Sequence, residues 1–274
     1  MNSLVLNLLL PGVAGILLYL LAGGLLWQRL LGGAEARQAA RSRPLLVGLV
    51  AVVLHGIMLG QLLWTDAGLD VGFYTIFTLV GWLVALLLLL SAFTRPVESL
   101  GIMVLPFTAL TVLLRLLSDE HQHLSHTLTP GLEFHILISI LAYSLLSIAV
   151  VQAILLYFQE AHLHNKQPGG ILRALPPLET METMLFQMIG LGFIVLSISL
   201  ISGGFYLEDL FAQQLVHKTV LSIIAWILFA ILLWGRVQFG WRGRVAIRWT
   251  IAAFIALMLA YFGSKFVIEL VLNQ

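Results

Sequence analysis

The chain contains no cysteine, which excludes disulfides, thiolate metal sites and dithiol redox chemistry. Charge is almost as scarce. Lys and Arg number 14 and Asp and Glu 13, together 10% of the residues, against about 25% in soluble proteins, so a soluble globular domain is excluded. A net charge of +1 leaves no electrostatic footprint for nucleic acid, which is not an expected partner. Glycine-rich phosphate cradles and nucleophile–base pairs are also missing, so no enzyme is expected. No gap between hydrophobic runs is long enough to bury a core of its own, and a single transmembrane domain over residues 1–274 is expected.

What the chain has is apolar sequence: 60% of residues are hydrophobic and the mean hydropathy is +1.02. With a window of about 20 residues the runs are Leu4–Trp27, Pro44–Trp64, Val71–Phe93, Val97–Leu117, Leu132–Phe158, Thr183–Ser202, Val216–Trp234 and Ala246–Leu272. The fold class is therefore all-α, a polytopic eight-helix bundle in contact with the lipid bilayer. The first run lacks a basic leader and is long enough to span, so it is expected to stay as a helix. Basic residues fill alternate gaps: Arg29, Arg37, Arg41 and Arg43, then Arg95, then Lys166 and Arg173, then Arg236, Arg242, Arg244 and Arg248. The positive-inside rule makes those gaps cytoplasmic and both termini external. Arg115, Lys218 and Lys265 fall outside the pattern, near outer helix ends. Arg95-Pro96 predicts a tight turn and a close pair of helices three and four, and Pro106 predicts a kink that opens space in helix four. Residues 168–182 read as a turn and an interfacial segment before helix six.

Ionisable groups at membrane depth mark function by default. His55 stands nine residues before Trp64, about 14 Å below the outer interface at 1.5 Å per residue. His135 and His217 open helices five and seven on the outer side, level with Arg115, Lys218, Lys265 and Glu269. His135, Ser139, Tyr143 and Ser147 form a polar stripe expected to face other helices. Two neutral imidazoles flanked by cations and by Phe205, Tyr206 and Phe211 suit haem, whose iron takes axial histidines and whose propionates seek Arg or Lys. A hydrogen-bonded helix contact is the alternative for each histidine. A transporter path through His55, Lys265 and Glu269, or a scaffold without ligand, are the rival functions. His121, His123 and His126 in an outer gap match no specific metal spacing.

Three stretches carry a family resemblance: His135–Tyr143-Ser opening helix five, Val216-His217-Lys218-Thr219 opening helix seven, and Gly240-Trp241-Arg242-Gly243-Arg244 before helix eight. Together with Leu175–Glu182, Phe193–Gly203 and Tyr261–Phe266 they make the chain resemble the cytochrome c assembly family of haem-handling membrane proteins, in particular its HemX-like branch in bacterial inner membranes. The resemblance implies haem held at the outer face by His135 and His217, with His55 as a deeper candidate ligand and Lys218, Arg115 or Lys265 on the propionates. It further implies other cytochrome c maturation proteins as partners. Haem-presenting members carry a tryptophan-rich segment of the form WGxxWxWD before the second histidine. Here that place reads Gly203-Gly204-Phe205-Tyr206-Leu207-Glu208-Asp209-Leu210-Phe211, without tryptophan.

Overall fold

A bilayer offers no partner for backbone N–H and C=O groups, so each apolar run must satisfy its own by coiling into a helix. In the computed structural model, which describes residues 3–32, 41–65, 68–70, 72–118, 123–124, 130–164, 175–206 and 216–263, the eight runs do so. The helices are α1 (Ser3–Leu31), α2 (Ser42–Leu63), α3 (Phe73–Thr94), α4 (Gly101–Leu117), α5 (Pro130–His164), α6 (Leu178–Tyr206), α7 (Val216–Phe239) and α8 (Arg244–Met258), the last continued by a π-helical turn, Leu259–Gly263. Among the described residues, eight helices are long and apolar enough to cross a membrane. The protein is thus an all-α polytopic membrane protein.

Some boundaries differ from the sequence reading. Helix α5 runs for 35 residues, about 52 Å at 1.5 Å per residue, and continues beyond the hydrophobic run through Gln159, Glu160 and His162. Of the turn and interfacial segment expected before Thr183, residues 168–174 lie outside the described residues, and Leu178–Glu182 are the start of α6 rather than an interfacial stretch. At the end that the charge rule makes external, three very short strands, β1 (Trp64–Thr65), β2 (Gly68–Asp70) and β3 (His123–Leu124), pair antiparallel with Asp70 opposite His123.

Contacts divide the chain into two compact units, α1 to α4 and α5 to α8. In the first, α1 packs on α2 and α4, and α3 packs on α2 and α4. Tyr19, Leu26, Leu45, Met58, Leu88 and Leu105 fill its centre. The α3–α4 pair is as close as Arg95-Pro96 foretells: a Cβ on Gly81 would stand 2.7 Å from Thr111 Oγ1, so only glycine fits there. The space beside Pro106 is filled by α1, since a Cβ on Gly23 would lie 3.4 Å from the proline ring. At the end that the charge rule makes cytoplasmic, the Arg41 guanidinium donates to the carbonyls of Ala92 (2.5 Å) and Arg95 (2.6 Å). It also pairs with Glu98 at 2.7 Å, capping α3 and pinning the short 3₁₀ turn Glu98–Leu100.

In the second unit α5 packs on α6 and α8, and α7 packs on α6 and α8. Buried positions on α5 (Ala142, Leu146, Ala149, Ala153, Leu156) and α6 (Leu185, Ile189, Gly192, Leu196, Ser199, Gly203) recur at spacings of three and four, the seam of two close antiparallel helices. The Gly-Trp-Arg-Gly-Arg element is the turn between α7 and α8. Gly240 (φ +66°) reverses the chain, the Trp241 N–H donates to the Gly235 carbonyl at 3.2 Å, and the Trp241 and Trp249 rings meet at 5.5 Å. Gly243, at φ 56° and ψ −133°, starts α8, and its N–H donates to Glu182 Oε1 of α6 at 2.7 Å. A carboxylate at a helix N-terminus is favourable. The element is therefore accounted for by backbone geometry. Gly243→Ala is expected to cost about 1–3 kcal/mol, read as lower thermal stability in detergent. A built Cβ meets nothing closer than 3.7 Å, so the loss would come from the backbone and not from crowding.

Candidate functional site

His135 lies in the second turn of α5, half-buried, where α6 presents Ser199, Ser202 and Gly203. Its Nδ1 is 3.1 Å from the Ser199 carbonyl and 3.0 Å from Ser202 Oγ. The carbonyl has no proton, so Nδ1 must carry one and donate. The hydroxyls agree: Ser202 donates to the Ser199 carbonyl (2.8 Å) and Ser139 to the His135 carbonyl (2.6 Å). Ser199 therefore donates to Ser139 across the 2.7 Å contact between them. The hydroxyl protons and the Nδ1 proton are thereby placed, and in the neutral ring the lone pair falls on Nε2, which has no partner among the described residues. Gly203 lets the ring lie flat on α6, for a Cβ there would stand 3.0 Å from His135 Cε1.

His217 is the second residue of α7 and is exposed. No hydrogen bond, ion pair or ring contact joins it to His135 among the described residues. The two stand on helices that both border α6 and α8, which makes them diagonal in the second unit. With neighbouring axes about 8–10 Å apart, diagonal axes are roughly 11–14 Å apart. Lys218 places its Nζ 5.7 Å from the centre of the Tyr261 ring on the π-helical turn, within cation–π range. Tyr261 in turn meets Tyr143 of α5 at 6.1 Å, and the Tyr143 hydroxyl donates to the Leu257 carbonyl at 2.6 Å. Of the expected stripe, His135 and Ser139 face α6, Tyr143 faces α8, and Ser147 donates to its own helix at Tyr143 O, 2.7 Å.

The remaining candidates belong to the first unit or lie outside the described residues. His55 is fully buried and has both ring nitrogens engaged, Nδ1 with the Tyr19 hydroxyl at 3.2 Å and Nε2 with Thr78 Oγ1 at 3.0 Å. Thr78 meets Thr111 at 3.3 Å, and Thr111 donates to the Thr108 carbonyl at 2.8 Å. Because Thr111 spends its proton on that carbonyl, Thr78 donates to Thr111, His55 donates through Nε2, and Tyr19 donates to Nδ1. The chain joins all four helices of the unit and occupies the lone pair a metal would need. Arg115, also buried, pairs with Asp70 at 3.4 Å, and donates to Thr75 at 2.9 Å and to the Ser118 carbonyl at 3.2 Å. Lys265, Glu269, His121, His126 and Phe211 fall outside the described residues. Among those described, no group of three or more His, Cys, Asp or Glu is arranged to hold a metal ion, whereas axial ligation asks for one or two imidazoles.

Sequence reasoning did not single out Ser199, Ser202 and Gly203. Their signal was small residues spaced three and four apart at the outer end of a hydrophobic run, the pattern of a close helix contact.

Comparison with known proteins gives a concordant result. The family model described as cytochrome C assembly protein matches residues 12–272. Inner membrane protein YpjD of Escherichia coli K12 is 32% identical over 235 residues, 84% of this chain and 88% of its own length. An uncharacterized 28.8 kDa protein of Azospirillum brasilense is 32% identical over 194 residues, 69% of this chain and 71% of its own. Cytochrome c biogenesis protein CcsA of Gloeobacter violaceus is 27% identical over 103 residues, 37% of this chain and 30% of its own. No solved structure matches the chain.

Proposed function

Because the chain belongs to the cytochrome C assembly protein family, we propose that it is a haem-handling protein of a bacterial inner membrane, holding haem at the outer end of its second four-helix unit for cytochrome c maturation. The observation that carries this reading is the unpartnered Nε2 of His135 in a cluster whose other polar atoms are paired. A half-buried neutral imidazole with its second nitrogen held by a carbonyl is the arrangement of metal-ligating histidines.

Haem, when bound, would supply an iron that takes imidazole nitrogens and propionates that take cationic donors. The residues at this end fit that set. His135 provides a fixed donor, His217 a second imidazole on the diagonal helix, and Lys218 a cation. Phe134, Phe205 and Tyr206 offer exposed aromatic surface in place of a tryptophan segment. Lys265 remains a candidate propionate partner. His55 and Arg115 are committed to buried networks within the first unit, so the proposal does not draw on them. Other cytochrome c maturation proteins are the expected partners.

The test is an absorption spectrum, oxidised and dithionite-reduced, of detergent-purified protein from haem-replete cells. A Soret band with sharp reduced α and β bands is expected, and it should vanish in the His135→Ala/His217→Ala double variant. A colourless preparation that takes up no added haem, or an unchanged Soret band in the double variant, would defeat the proposal.

A further inference from the structure

Backbone geometry accounts for the glycines of the turn between α7 and α8, but it gives no work to several polar side chains around that turn. Arg242 and Arg248 are exposed and have no hydrogen bond or ion pair among the described residues. Nor have the indole N–H groups of Trp234, Trp241 and Trp249 a protein acceptor there. Elsewhere the chain spends such donors inside a bundle: Trp82 Nε1 donates to the Val52 carbonyl and Trp226 Nε1 to Ser197 Oγ, both at 2.8 Å. In the first unit Arg29 and Arg41 are likewise spent on Glu98. The carboxylates near the turn are engaged on the bundle side, Glu182 with the Gly243 N–H at 2.7 Å and Glu160 with Arg244 at 3.5 Å, so they leave the charges of Arg242 and Arg248 uncompensated.

The aromatic rings form a row. Trp234 meets Phe239 at 5.7 Å, Phe239 stacks on Trp241 at 6.3 Å, and Trp241 meets Trp249 at 5.5 Å. Trp241 is seated on Gly235, where a built Cβ would overlap its ring, while Trp234 and Phe239 are exposed. Helix length sets the depth of these groups. Helix α8 with its π-helical turn, Arg244–Gly263, counts 20 residues, about 30 Å at 1.5 Å per residue, which matches a hydrocarbon core. Arg244 therefore stands at the edge of the core and Arg248, one turn on, about 6 Å inside it. An exposed guanidinium at that depth, with no protein acceptor, reaches back to the headgroup layer and meets an anion there.

We propose that the α7–α8 turn binds the headgroup of an anionic phospholipid from the leaflet that the charge rule makes cytoplasmic. The guanidinium groups of Arg242 and Arg248 each offer a fork of donors to the phosphate oxygens. The indole N–H groups donate to the ester oxygens below it. Every unspent polar group here is a donor, which selects a ligand rich in acceptors. The ring row selects a lipid over free phosphate: Trp234 lies five residues before Phe239 on α7, about 8 Å deeper, and so lines the path of an acyl chain. The proposal does not rest on the haem reading.

The test is native mass spectrometry of the delipidated, haem-free full chain, titrated with phosphatidylglycerol, with phosphatidylcholine or with inorganic phosphate. Wild type is expected to take phosphatidylglycerol roughly tenfold more tightly than phosphatidylcholine, two basic residues each adding to the attraction, and to retain no phosphate. Arg242→Gln/Arg248→Gln is expected to bind the two lipids alike, whereas Arg43→Gln, which removes an exposed arginine of the first unit, keeps the preference. Arg242→Lys/Arg248→Lys should fall between, because lysine keeps the charge without the fork. Phosphatidylglycerol should also raise the melting temperature of wild type but not of the glutamine variant. Equal uptake of the two lipids by wild type, or an unchanged preference in the glutamine variant, would overturn the proposal. Full retention in the lysine variant would mean diffuse attraction to a charged surface, and phosphate retained without lipid would mean a simple anion site; either result would overturn it as well.

Discussion

Arg115→Met is expected to destabilise the first unit by about 3–5 kcal/mol, the usual cost of removing one partner from a buried ion pair. The reason lies in what stays behind. Asp70 is fully buried and Arg115 nearly so, and the Asp70 carboxylate accepts from the Gly72 N–H at 2.8 Å and from the Thr75 hydroxyl at 3.1 Å as well as from Arg115. Without the guanidinium a negative charge remains in a site with little water, and Thr75 and Ser118 lose a donor. Adding Asp70→Asn should recover a large part of the loss, because the amide oxygen still accepts from Gly72 while the charge is gone. The measurement is unfolding of single and double variants in detergent, read as a double-mutant cycle. Additive losses would mean that the pair is not coupled and that Arg115 acts through its hydroxyl and carbonyl contacts alone. The haem spectrum of the folded Arg115→Met protein should be unchanged, since Arg115 belongs to the first unit and the proposed ligands to the second.

The eight spans were legible because a bilayer leaves an apolar run no alternative to a helix; composition and length suffice. Helix ends were less so. Helix α5 overruns its hydrophobic stretch because nothing between Phe158 and His164 breaks a helix, and lipid thickness limits the apolar part only. The strands at Trp64–Thr65, Gly68–Asp70 and His123–Leu124 are too short for any period to show. At the level of the site, the sequence put His135 and His217 ahead of His55 by position and resemblance, but it could not say which ring nitrogens of His55 and His135 are taken. Three-dimensional neighbours separate them: hydroxyls from α1 and α3 take both nitrogens of His55, while one carbonyl and one hydroxyl of α6 take a single nitrogen of His135. That difference depends on which helix faces which, and a hydropathy pattern does not encode it.

Gly203→Val is expected to weaken haem binding by about 10–100-fold, the range found when the support of a metal-ligating histidine is disturbed, while the neighbouring Gly204→Val leaves it unchanged. The two glycines are adjacent on α6 but meet different surroundings. A Cβ at 203 would lie 3.0 Å from His135 Cε1 and 3.4 Å from its Nδ1, whereas a Cβ at 204 meets nothing within 4 Å. Valine at 203 therefore pushes the imidazole off the helix and away from the Ser199 carbonyl, which releases the tautomer as well as the position. Both substitutions carry the same helix-propensity change, so Gly204→Val controls for it. Gly203→Ala should fall between them, because a shift of a few tenths of an ångström in the ring accommodates one methyl. Haem titration gives the affinity, and the ¹⁵N shifts of His135 should move toward tautomer averaging in the same order. Equal affinities for the 203 and 204 variants would mean that the α6 surface does not set the ligand, and His135 would then be only a helix contact.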